Sequence, residues 1–196
     1  MKHVFCSIWA LLAFICFLTS CSSDSAEEST YERYNVSMSV TNNVGEDLIQ
    51  TSNKYYPTLN EFRFDTWEIY LDGKLIQTAN DGNKYAHRQV YTLQENNATC
   101  KGMILNSTLE IQKQININAE KHVAEYVISS VSLFGDTKEH TIRMEFWNTK
   151  NDFGYYSSAE YTITVDGVKQ EVYYPGPNSQ YKSIKEPHFV LNVDAL

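Results

Sequence analysis

Period-two alternation limits what this chain can fold into more than any other feature. Val36, Met38 and Val40 fall on one parity while Ser37, Ser39 and Thr41 fall on the other. Only a strand sends successive side chains to opposite faces, so this run predicts a strand with one wet face. The same rhythm recurs in Leu109, Ile111, Ile115 and Ile117, in Ile142, Met144 and Phe146, in Tyr161, Ile163 and Val165, and in Phe189, Leu191 and Val193. Asp72-Gly73 and Asp166-Gly167 each join two extended runs, and this residue pair tolerates the positive φ angles of a two-residue hairpin turn. Asn80-Asp81-Gly82-Asn83 and Pro175-Gly176-Pro177 are further breaks. Many short strands separated by turns predict an all-β sandwich or barrel.

One segment is ambiguous. Between Asn118 and Gly135, residues Val123, Tyr126, Val127, Val131 and Phe134 fall near helical spacing. The β-branched Val123, Val127, Ile128 and Val131 and the pair Ser129-Ser130 suit a strand better, which we place from about Tyr126 to Phe134. No other segment reads as helix. The hairpins "WEIYLDG" and "YTITVDG" resemble each other locally. With nothing else repeating, residues 34–196 read as one domain.

The first 20 residues stand apart. Lys2 and His3 precede an uncharged apolar run, Ile8 to Leu18, too short for a bilayer-spanning helix of about 20 residues and patterned as a secretory signal peptide. At its end, "LTSC" (Leu18 to Cys21) resembles the lipobox of bacterial lipoproteins. That resemblance implies cleavage before Cys21, a diacylglycerol on its thiol, and a lipid bilayer as the partner of the acylated residue. Residues 21–33 then form an acidic tether. Ser22 to Glu32 holds Asp24, Glu27, Glu28 and Glu32 with no positive charge and too little apolar surface to offset ordering entropy. Carboxylates just after the cysteine resemble the export signal of Bacteroidota surface lipoproteins, which implies an outer-membrane, cell-surface location. Asp24-Ser25-Ala26 also resembles that group's O-glycosylation motif.

The cysteines agree with an anchor. Cys6 and Cys16 lie in the signal and Cys21 at the cut, leaving Cys100 without an intramolecular disulfide partner. Removing the signal takes one of 16 basic side chains and none of 24 acidic ones, so the remainder carries a net −9. Such a charge disfavours nucleic acid and anionic membrane as partners.

Once the strands are set out, "LFGDTKEHTIRMEFWNTKNDFGYYSSAEYTITVDG" is similar to the closing half of bacterial immunoglobulin-like domains. Leu133, Gly135, His140, Thr141, Ile142, Asp152, Gly154 and Val165 carry the likeness, with "WEIYLDGKLI" as the hairpin across from it. The resemblance implies an immunoglobulin-like antiparallel β-sandwich with an insertion near 94–118, a C-terminal extension after Gly167, and a structural His140.

No enzyme signature is present: no Gly-x-Ser-x-Gly elbow, His-Glu-x-x-His or phosphate-cradling glycine loop. Neither catalysis nor a cofactor is expected. Asp81-Gly82-Asn83 and Asn151-Asp152 offer oxygen atoms, but two turns fall short of the six a calcium ion takes, so they read as turns and no metal site is assigned. Aromatic residues are the stronger signal, because all 14 tyrosines follow the signal segment and several gather at turns. Tyr55, Tyr56, Tyr155, Tyr156, Tyr173 and Tyr174 are candidate ligand-binding residues, since tyrosine offers a flat apolar face and a hydroxyl at low entropic cost. Trp147 and Arg143 share the parity opposite Ile142, Met144 and Phe146 and complete the candidate patch. In the competing reading Trp147 covers a second core layer and the tyrosines cap sandwich ends. The expectation is a tethered, non-catalytic binding or adhesion module with a glycan or surface-protein ligand. The alternatives are a structural subunit of a pilus or uptake complex, and a lipid-binding or hydrolase-like barrel.

Overall fold

A computed structural model describes residues 35–78, 87–95, 98–105, 121–150, 156–181, 184 and 186–196, with backbone alone for 148–150 and 156–159. Cys21, the tether, the 109–117 run, the Asn80 turn, Asp152, Gly154 and Tyr155 lie outside them. The described strands are β1 (Ser37–Thr41), β2 (Tyr55–Tyr56), β3 (Glu61–Arg63), β4 (Thr66–Leu71), β5 (Lys74–Thr78), β6 (His87–Glu95) and β7 (Ala98–Ile104). They continue with β8 (Lys121–Ser129), β9 (His140–Lys150), β10 (Tyr156–Val165), β11 (Val168–Gln170), β12 (Val172–Tyr173) and β13 (His188–Asn192). One sheet has the order β12-β13-β1-β7-β6-β3-β2 and the other β11-β10-β9-β8-β4-β5.

The fold is all-β, and its core lies between the two sheets. Val36, Met38, Val40, Phe62 and Phe189 from the first pack with Trp67, Ile69, Tyr126, Ile128, Ile142, Phe146 and Ile163 from the second. Each such side chain contributes about 1.5–3 kcal/mol when fully removed from water. From His122 to Ile128 in β8, buried and half-buried residues alternate strictly, as a strand with one face in the core requires.

The six-stranded sheet is built twice over from one unit. Asp72 and Gly73 have φ of 49° and 78°, Asp166 and Gly167 of 48° and 83°, so both hairpins turn with two positive φ angles. Each aspartate then clasps the neighbouring strand in the same way. Asp72 Oδ2 lies 2.9 Å from His122 Nδ1 while its Oδ1 accepts the Val123 N–H at 2.8 Å. Asp166 Oδ2 lies 2.6 Å from His140 Nδ1 while its Oδ1 accepts the Thr141 N–H at 2.8 Å. The β8–β9 register pairs Phe146 with His122 and Ile128 with His140. Exchange of the two halves, β4-β5-β8 for β10-β11-β9, therefore preserves the pairing. The hairpin likeness in the sequence thus extends to a repeat that includes one histidine per half.

Several expectations are corrected. In the 118–135 segment the strand ends at Ser129, and Val131–Phe134 is a one-turn helix, α2, which terminates at Gly135 with φ 76°. A second one-turn helix, α1 (Leu48–Thr51), occurs where no helix was expected. Asp47 caps it, its side chain accepting the Gln50 N–H at 3.0 Å, the interaction for which Asp is favoured at this position. Val193 begins a 3-10 turn instead of extending β13, because Asn192 Oδ1 accepts the Asp194 N–H at 3.1 Å.

The largest correction concerns β1. Ser37 and Ser39 are 0% and 2% exposed, so neither parity of the strand is wet. Described residues between β12 and β13 lie over the outer face of the seven-stranded sheet and form a third layer. There Tyr181 and Ile184 pack with Leu93, Tyr91, Cys100, Tyr173 and Val190. Ser37 Oγ lies 2.9 Å from His188 Nδ1, and Ser39 Oγ donates to the Lys101 carbonyl at 2.7 Å. The C-terminal extension also completes the sheet: β13 runs parallel to β1 from Ser37–His188 to Thr41–Asn192.

Candidate functional site

The outward face of the six-stranded sheet is set by the strands that fill the core. Ile142, Met144 and Phe146 point inward and are at most 2% exposed, so Arg143, Glu145 and Trp147 project the other way. From β8, Lys121 and Glu125 stand beside them, paired in register with Trp147 and Arg143. From β10, the exposed Glu160 pairs with Trp147 on its other side.

The result is a charge ladder ending in an indole. Arg143 Nη1 donates to Glu125 Oε1 at 2.6 Å and Nη2 to Glu145 Oε1 at 3.0 Å, while Lys121 Nζ donates to Glu145 Oε2 at 2.6 Å. Lys121 Nζ also lies 5.2 Å from the centroid of the Trp147 ring, within cation–π range. Glu125 and then Glu145 hold the Arg143 guanidinium above its ordinary pKa, and Lys121 and then Arg143 hold the Glu145 carboxyl below its own. All five polar and aromatic side chains remain partly open to solvent. Trp147 is half-buried and does not belong to the inter-sheet core. The ladder can do two things: offer a flat ring edged by fixed donors and acceptors, and hold that ring in one orientation. It supplies no nucleophile and base pair at bonding distance.

Of the candidate tyrosines, the four whose side chains are described, Tyr55, Tyr56, Tyr173 and Tyr174, do not gather into one patch. Tyr55 is 8% exposed and lies in the main core, which removes it as a ligand contact: it is the inward residue of β2, and Tyr56 beside it faces out. Tyr56 is exposed and stacks on His87 with centroids 6.3 Å apart. Tyr173 is half-buried, packs edge-on to Tyr181 at 5.1 Å and donates its hydroxyl to Glu171 at 3.0 Å. Tyr174 is exposed, and its hydroxyl accepts the Tyr161 N–H at 2.9 Å. That contact covers the β10 backbone beyond its pairing with β11, one residue from Glu160. Tyr173 and Tyr174 also line an open concavity of about 560 Å³ formed by residues 172–180. Tyr156 is placed at the head of β10 opposite Lys150.

Among the described residues no group of three or more His, Cys, Asp or Glu is placed to hold a metal ion, and no helix is long and apolar enough to cross a membrane. Burial raises the pKa of the half-buried Cys100 thiol, which lies 3.7 Å from Ser39 Oγ. Sequence reasoning passed over Lys121 and Glu125, which only the strand register brings to this face, and Glu145, which alternation along β9 already places on the parity of Trp147. It also passed over Arg88, buried against Trp67, whose signal was a charged residue on the same parity as Val90.

No family model, curated protein or solved structure matches the chain.

Proposed function

We propose that this protein is a non-catalytic binding module with an immunoglobulin-like sandwich, held at the outer surface of an outer membrane through an acylated Cys21, and that its ligand is a glycan. The single observation behind this reading is the partly exposed Trp147 on a flat sheet face, with Lys121, Glu145, Arg143, Glu125 and Glu160 around it. A pyranose ring presents an apolar face that stacks on an aromatic ring and hydroxyls that exchange hydrogen bonds with charged neighbours. The carboxylates on this face disfavour anionic sugars, so the glycan is neutral. A glycan array probed with the protein and with Trp147→Ala tests the reading. Neutral oligosaccharide binding lost in the variant supports it, and binding unchanged in the variant removes the platform. Labelling of cells with radioactive palmitate tests the anchor, which fails if the wild-type chain stays unlabelled.

A surface-assembly subunit is the second reading, drawn from β5 at the edge of its sheet with Leu75 exposed. Against edge pairing stand Lys74 at its head and the irregularity in its register between Ile69 and Tyr70, both features that discourage strand addition. Co-purification of a companion protein from native membranes, lost on Leu75→Lys, would favour this reading over the first.

A further inference from the structure

Arg88 is 7% exposed and Trp67 1% exposed, with the Arg88 Cζ 3.5 Å from the Trp67 ring centroid. The guanidinium is thus held flat on an indole at the margin of the core, one residue into β6. Phe62, its partner across the strands, is 0% exposed, and Phe64 stacks on Trp67 with centroids 5.3 Å apart. Only Nη1 is used: it donates to the His87 carbonyl at 2.8 Å. Nε and Nη2 are buried with no hydrogen-bond partner, and so is Trp67 Nε1. Among the described residues no carboxylate pairs with Arg88.

The chemistry of the orphan groups is specific. Nε–H and the Nη2–H beside it make up the side edge of a guanidinium, two parallel donors spaced to meet the two oxygens of one carboxylate. Leaving both unmet in an apolar surrounding is unfavourable, because the charge is desolvated without an acceptor. Burial lowers the Arg88 pKa to about 9, so the group keeps its charge at neutral pH and calls for an anion over a neutral acceptor. A spherical halide meets one direction at a time; a planar two-oxygen anion meets both donors. The apolar surroundings, Trp67 beneath the guanidinium and buried Phe62 opposite it across the strands, favour an anion with a small or apolar remainder over a strongly hydrated one such as sulfate.

We propose that the side edge of Arg88, backed by Trp67, is a binding site for a small monocarboxylate, between the two sheets and separate from the outward Trp147 face.

The test uses the purified full chain, with the Arg88 Nε–H resonance followed by NMR while sodium formate or sodium acetate is added at constant ionic strength set with sodium chloride. The expected result is a saturable downfield shift of Nε–H with formate and acetate, absent with chloride or sulfate alone. It should be accompanied by a rise in unfolding temperature that is absent in Arg88→Met. Arg88→Lys keeps the charge but not the fork, and serves if Arg88→Met does not fold. It should weaken the carboxylate-dependent stabilisation by about tenfold or more in concentration, as expected for loss of a charged hydrogen bond. Equal responses to carboxylate and chloride, or equal responses in wild type and Arg88→Lys, overturn the proposal. So does a downfield Nε–H already present without added carboxylate and unmoved by formate, since the chain would then supply its own acceptor.

Discussion

His188 makes the third layer sensitive to acid, and the sensitivity has a calculable size. The side chain has no exposed surface, and its Nε2 has no hydrogen-bond partner. Burial holds its pKa at about 4 in the folded chain against 6.5 for the free side chain. A histidine depressed in this way contributes stability that is fully present above the unfolded value and is lost as pH falls toward the folded one. In that window the unfolded chain takes up a proton that the folded chain refuses. Taken over the interval between those two values, the loss is about 3 kcal/mol by the time pH reaches about 4. Urea denaturation of wild type and His188→Gln, from about pH 7 to about pH 4, isolates it. The other titrating groups contribute to both proteins, and glutamine keeps a hydrogen-bonding partner for Ser37 Oγ, now 2.9 Å from the histidine. The stability difference between the two proteins should move by about 3 kcal/mol in favour of the variant across that range. A difference constant to within about 1 kcal/mol would refute the assignment of a buried, neutral His188 to the layer between β13 and the crossing segment.

The remaining predictions concern the repeat, the packing beneath the crossing segment and the ladder. Asp72→Ala and Asp166→Ala should each lower stability by about 1–3 kcal/mol in thermal unfolding, since each leaves a backbone N–H and a histidine nitrogen without its partner; a near-zero effect for one alone would break the equivalence of the two clasps. Gly102→Ala places a Cβ 2.8 Å from Leu93 Cδ1 and 3.1 Å from Tyr91 Cζ, so about 1–3 kcal/mol should be lost in urea denaturation, as for other overpacked sites. Arg143→Met should cost less than about 1 kcal/mol in the same assay, because its ion pairs are solvent-screened, yet should weaken ligand binding through loss of the fixed donors beside Trp147.

What the sequence revealed and what it hid divide along the range of the interactions. The hairpins at Asp72-Gly73 and Asp166-Gly167 were legible because turn chemistry is local, as was the outward parity of Arg143 and Trp147 in β9. Ser37 and Ser39 were misread as wet because the layer that covers them comes from the far end of the chain, and a polar parity on its own reads as solvent. The same distance hid the β1–β13 pairing, which joins Ser37 to His188. The helix stop at Gly135 was visible, but the strand before it was displaced, since β-branched residues continue through Val131 into α2. Tyr55 and Tyr56 looked alike as a turn cluster, and only the strand parity of β2 sends one into the core and the other out. Of the site, only the β9 members Trp147 and Arg143 were read from the sequence, because Lys121, Glu125 and Glu160 reach it from neighbouring strands.

The outward face of β8, β9 and β10 is the proposed landing place for a ligand. An amide and indole NMR titration with the neutral oligosaccharide that scores highest on the array addresses it directly. Shifts centred on Trp147, Lys121, Glu145, Arg143 and Glu160 are the predicted result; shifts confined to residues 172–180, or none at saturating ligand, would contradict it.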